Sequence, residues 1–112
     1  MKDSGETMEK PVLILSMAAS EEEAARIGKT IVEEKLAACA NVVSGVRSLY
    51  VWQGNFCDEG EVLLMMKSCR RLVKKVIRRV KALHSYEVPE IIALPIVEGS
   101  EDYLKWMEDS LT

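Results

Sequence analysis

The chain has 112 residues, 48% of them hydrophobic and 29% charged, with a formal net charge of −3. That is enough for one self-supporting core, too apolar for a disordered chain, and offers no general charge attraction to nucleic acid. Its three cysteines, Cys39, Cys57 and Cys69, are odd in number and form no CxxC; this excludes a disulfide framework and a structural zinc site and points to a reducing, cytoplasmic setting.

Residues 1–10 read as a disordered leader and residues 11–112 as a single domain. The apolar run after Lys10 mimics a short signal-peptide core, but Asp3, Glu6 and Glu9 stand among the leader's lysines and three glutamates follow the run. No segment approaches the ~20 apolar residues that a membrane-spanning helix needs, so no membrane is expected. Residues 11–17 are continuously apolar and read as a covered strand.

Ser20 followed by Glu21, Glu22 and Glu23 forms a capping box, with acids at the positive end of the helix dipole. The spacing predicts a helix to about Leu36, burying Ala24, Ile27, Ile31 and either Gly28 or Val32. A mid-helix glycine costs roughly 1 kcal/mol against alanine, so Gly28 implies a close neighbour. Residues 39–53 are long for one strand. Val46, Ser48, Tyr50 and Trp52 share one face, and Arg47, Leu49 and Val51 the other. Neither face is cleanly polar, which calls for a second cover, another subunit. Gly45 permits a bulge. Residues 54–60 supply turn residues, and residues 61–68 form the second strand of a long hairpin.

A helix over residues 70–83 follows, with Arg70, Arg71, Lys74, Lys75, Arg78, Arg79 and Lys81 and no acid among them. Without interleaved aromatics this is a solvated face or one that docks an acidic surface, and no nucleic-acid partner is expected. Residues 83–95 read LHSYEVPEIIALP and hold the only histidine, His84, together with Tyr86, Glu87 and Glu90. Pro89 keeps helix from crossing this point, so polar groups gather where a helix gives way to the last strand. That strand, residues 91–97, is interrupted by Pro95. Gly99 and Ser100 then open an amphipathic helix with Tyr103, Leu104, Trp106, Met107 and Leu111 on its apolar side.

The order predicts an α+β fold: a ferredoxin-like βαββαβ sandwich with an extra C-terminal helix. Its sheet has one uncovered face, for which assembly as a closed cyclic oligomer is the natural solution.

The segments EEKLAACANVV, YVWQG, EVLLMMKS, LHSYEVPEIIALPI and YLKWM resemble, in order and spacing, the CutA-type divalent-cation-tolerance proteins. The resemblance covers residues 12–107. It implies a homotrimer built on the long hairpins, a link to tolerance of divalent metals, copper above all, and a polar cleft. Residue by residue, that cleft maps onto Asn41, Tyr50, Trp52, Glu61, Lys67, Tyr86 and Glu90, with His84 and Cys39 as the metal-ligand candidates. Glu61 and Lys67 share a strand face but lie about 20 Å apart within one chain, so they converge only with help from other strands or subunits.

Two departures bear on metal binding. Met17, Ala18, Ala19 and Ser20 stand where some relatives have threonine and cysteine, and His84 is single where some have two adjacent histidines. Fewer soft and imidazole donors weaken a single-chain copper site and leave His84, carboxylates and ligands from a neighbouring chain. The implied cofactor is Cu(II) or another divalent cation, weakly bound, with no organic cofactor. The function expected is metal tolerance or response at an inter-subunit cleft; the alternative is a small-molecule or anion-binding signalling trimer. An enzyme is the third reading. The chain has acid–base groups but no nucleophile elbow, phosphate loop or HExxH, so no residue is assigned as catalytic.

Overall fold

The computed structural model describes residues 10–112. The leader expected over residues 1–10 falls, apart from Lys10, outside the described residues. The elements are β1 (Pro11–Ala18), α1 (Glu21–Glu33), β2 (Cys39–Trp52) and β3 (Asn55–Cys69). A 3-10 turn (Arg70–Leu72) then leads into α2 (Val73–Leu83), β4 (Ile91–Pro95) and α3 (Glu101–Asp109). The strands form one antiparallel sheet in the order β2-β3-β1-β4. This is the expected βαββαβ order with an added helix. No helix among the described residues is long and apolar enough to cross a membrane.

Alternation along the central strands sets the layers. Val12, Ile14 and Ala18 of β1 and Val62, Leu64 and Met66 of β3 are buried against Ala24, Ile27 and Ile31 of α1 and Val76 and Val80 of α2. The intervening residues point to the other face. Register aligns Leu13 with Leu94 and Lys67, Leu15 with Ile92 and Met65, and Met17 with Leu63. These lie outside the core formed with α1 and α2, and Ile92 and Leu94 are among the exposed large apolar residues.

α1 opens as the capping box requires, with Ser20 Oγ accepting from Glu23 N–H at 3.1 Å. It ends at Glu33, short of the expected Leu36. Lys35 adopts φ 60°, and the Leu36 N–H returns to Ile31 O while the Lys35 N–H bonds Val32 O. This is a Schellman termination with lysine where glycine is usual, so the sequence carries no stop signal. Gly28 is buried as expected. A Cβ there would lie 3.0 Å from Ala40 Cβ and 3.1 Å from Leu64 Cδ1. Leu64 is fully buried and Ala40 sits on a strand, so neither yields readily. Gly28→Ala is therefore expected to lower stability by about 1 kcal/mol despite alanine's better helix propensity, because overpacking outweighs it. A raised melting temperature would mean that the α1–sheet contact is looser than its geometry.

Residues 54–60 are not the turn. Gln53 and Gly54 alone make it, at φ 52° and 82°, and Trp52 pairs with Asn55. Two consecutive positive φ values match the right-handed strand twist, so the ladder continues to the tip and Asp58, Glu59 and Gly60 lie in β3. The hairpin gives the molecule its 55 × 25 × 23 Å extents. Its register shifts between Val43 and Val46, with Gly45 at φ 83°. Before this bulge the odd residues of β2 share the face of Leu63; after it the even ones do. The extra residue thus puts Tyr50 and Trp52, rather than Leu49 and Val51, on the face of Glu61.

Candidate functional site

The connection between α2 and β4 is tied down by one imidazole. His84 turns extended after Leu83 (φ −84°, ψ 145°) and its side chain has no solvent exposure. The Tyr86 N–H donates to Nδ1 at 3.1 Å, and Nε2 lies 2.7 Å from Met17 O. With Nδ1 accepting, the ring proton sits on Nε2 and is donated to the Met17 carbonyl. Both nitrogens are therefore engaged.

Glu23 holds the same connection from the other side. It is 7% exposed. Oε1 accepts from Ala19 N–H at 3.1 Å; Oε2 accepts from Ser85 N–H at 2.7 Å and faces His84 Nδ1 at 3.6 Å. Burial by itself would raise this carboxyl's pKa, but the hydrogen bonds from Ser85 and Ala19, with His84 nearby, hold it below its ordinary value. The first turn of α1 and the loop after α2 are joined by one carboxylate.

This brace aims Tyr86. Its ring lies 4.8 Å, centroid to centroid, from that of His84, and its hydroxyl donates to Glu61 Oε2 at 2.8 Å. Burial first, and then the Glu61 carboxylate, push the phenol well above the usual tyrosine range, so it stays a donor. Around this pair opens a cleft of about 380 Å³. Tyr50, Trp52 and Tyr86 supply aromatic walls, Glu61, Glu87 and Glu90 supply carboxylates, and Met17 and Val88 complete the lining. Among the described residues no lysine, arginine or histidine lines it.

The residues mapped onto one cleft fall into two groups in a single chain. Tyr50, Trp52, Glu61, Tyr86 and Glu90 meet in the cleft just described. Cys39, Asn41 and Lys67 gather instead near the opposite end of β3. Cys39 pairs with Lys67 across the strands, its thiol lies 3.6 Å from Asn41 Oδ1, and Lys67 Nζ reaches Tyr103 at 3.4 Å from the hydroxyl. The distance between Glu61 and Lys67 along their shared strand is what separates the groups.

The two metal-ligand candidates, His84 and Cys39, stand apart from each other in one chain. His84 is enclosed with both nitrogens bonded, and Cys39 belongs to the other group. Among the described residues no three His, Cys, Asp or Glu side chains converge as a metal centre would require. The cleft carboxylates lie around an opening rather than about a point, so the residues of one chain do not form a closed coordination site. Sequence reasoning missed Glu23, Met17 and Val88 as parts of this region. Glu23 carried a signal, the capping box, but its second oxygen serves a residue 62 positions away.

Comparison with known proteins follows the same pattern. Residues 12–110 match a family model described as CutA1 divalent ion tolerance protein. The divalent-cation tolerance protein CutA of Thermus thermophilus is 50% identical over 103 residues, covering 92% of this chain and 98% of that protein. The chloroplastic protein CutA of Arabidopsis thaliana is 40% identical over 111 residues; they cover 98% of this chain but 60% of that protein. The crystal structure of CutA1 from Oryza sativa superposes with a TM-score of 0.91 at 38% identity, covering 95% of this chain and 97% of that one.

Proposed function

The chain belongs to the CutA1 divalent ion tolerance family, and from that membership we propose that it serves divalent-cation tolerance or response as a cytoplasmic homotrimer. It binds the cation, copper included, weakly, in the Glu61 cleft at a subunit boundary. The observation that carries this reading is the lining: three carboxylates with no basic side chain among them. Such a cleft attracts cations and disfavours the anionic ligand considered as an alternative. Weak binding follows from the spread of the carboxylates, which leaves a neighbouring chain to close the site. The uncovered sheet face supports the trimer, and three free cysteines support a reducing compartment. The aromatic walls favour one second reading, a small organic cation held by ring faces as well as by charge.

Calorimetric titration of Cu(II) into protein with a blocked N-terminal amine tests the cleft. Wild type is expected to bind weakly, and Glu61→Gln combined with Glu90→Gln to weaken binding about tenfold or more, the order of effect expected for lost ligands. Equal affinity in the double variant removes the cleft carboxylates from the reading. Tetramethylammonium, titrated in parallel, separates the two cations: only the organic one should also lose affinity when Tyr50 is replaced by leucine.

A further inference from the structure

We propose that the outer face of α2, with the 3-10 turn before it, is a docking surface for an acidic segment of a partner protein. This goes beyond the cation cleft and does not depend on it. The face is assembled from Arg70, Lys74, Lys75, Arg78 and Lys81, all exposed. None of the five side chains makes a hydrogen bond or ion pair with another described residue. The two remaining basic residues are engaged: Arg79 in a forked pair with Glu34 at 2.8 Å, and Arg71 with Thr112 O at 2.5 Å.

The arrangement works against the helix that carries it. Arg70 and Lys74, Arg71 and Lys75, Lys74 and Arg78, and Lys75 and Arg79 stand four apart, where like charges repel. The first turn of α2 has no acid, so cations crowd the positive end of its dipole. The same chain follows the opposite rule elsewhere, with Glu21, Glu22 and Glu23 opening α1 and Glu101 and Asp102 opening α3. The chain as a whole carries 18 acidic residues, and none of them is on this helix. Local charge placement that lowers stability without an internal partner is the mark of a surface that meets its complement on another molecule.

The character of the face selects the partner. No aromatic stands among the charges, so bases have nothing to stack on. The large apolar residues are buried, as Leu72, Val76 and Val80 are, or half-buried, as Val73, Ile77 and Leu83 are, so no large apolar side chain stands out to enter a bilayer. The overall charge of −3 opposes a long polyanion once it extends past the patch. A short acidic protein segment matches both the charge and the length of this 11-residue helix, about 16 Å.

The test uses a labelled peptide of about twelve residues, rich in glutamate and aspartate, long enough to follow the helix. Fluorescence anisotropy with the full chain is expected to show binding that K74Q/K75Q/R78Q weakens about tenfold or more, and that weakens with added salt. The variant should melt at or above the wild-type temperature, since repulsion along α2 is relieved, so lost binding is not lost folding. K29Q/R47Q/K105Q removes the same number of charges elsewhere and is expected to bind like wild type. An equal loss in that control reduces the effect to net charge and overturns the proposal. So does tighter binding to a short DNA duplex or to phosphatidylserine vesicles than to the peptide.

Discussion

Replacing Glu23 with glutamine is expected to lower stability by about 2 kcal/mol at neutral pH, because a buried charged acceptor of two backbone N–H groups is exchanged for a neutral one. Glutamine keeps the shape but turns an NH₂ toward either Ala19 N–H or Ser85 N–H, leaving one donor facing another. The loss is also pH-dependent, and its sign follows from the direction of the pKa shift. Glu23 is held below its ordinary value of 4.5 in the fold. Its contribution is therefore complete above that value and disappears as pH falls through the lower, folded-state value. Glutamine does not titrate, so the gap between wild type and variant should be widest at neutral pH and narrow on acidification below 4.5. Urea denaturation across that range measures it. A gap that stays constant would mean that packing, not the charge, carries the residue's contribution. Because Glu23 anchors Ser85 beside the histidine that fixes Tyr86, the variant should also loosen the cleft, visible as a changed environment of the Tyr86 ring by NMR.

The fold was legible because its signals are local and periodic. The apolar run of β1, the Ser20 capping box and the length of β2 each act within a few residues of themselves. The errors fall where a local signal was missing or ambiguous. Lys35 ends α1 in a conformation that glycine usually marks. The string of residues 54–60 is rich in turn formers, yet only Gly54 among them lies in the turn, because the ladder continues through Asn55, Phe56 and Cys57. Gly45 marks a place for a bulge in the sequence, but which side chains the bulge turns onto the Glu61 face depends on register, and register is a pairing between strands. The site is less legible for the same reason. Tyr86 reaching Glu61, and Glu23 reaching Ser85, join positions far apart in the chain. His84 braces its connection with both ring nitrogens engaged, and nothing in its neighbours in sequence foretells that burial.

Truncating Trp52 to alanine is expected to weaken the proposed trimer by about 2 kcal/mol or more at each interface, the scale of a buried aromatic anchor. The single chain leaves this ring 47% exposed, at the far end of a hairpin whose tip also exposes Val51 and Phe56 at 68% and 69%. So much apolar surface at one end of a chain marks an interaction surface. The complementary surface is present on the same molecule: the uncovered sheet face with Leu13, Leu15, Ile92 and Leu94 in register. One hairpin laid on the next chain's open face is a head-to-tail contact, and head-to-tail contacts either close into rings or grow without limit. Light scattering on a sizing column should report three chains per particle for wild type and a concentration-dependent mixture for Trp52→Ala. The Gln53–Gly54 turn is untouched by the substitution, so the hairpin itself should persist and circular dichroism should be unchanged. A monomeric wild type would remove the interface argument altogether. A variant that stays trimeric on dilution would make Trp52 a wall of the cleft only, and would transfer the anchoring role to Tyr50 and Phe56.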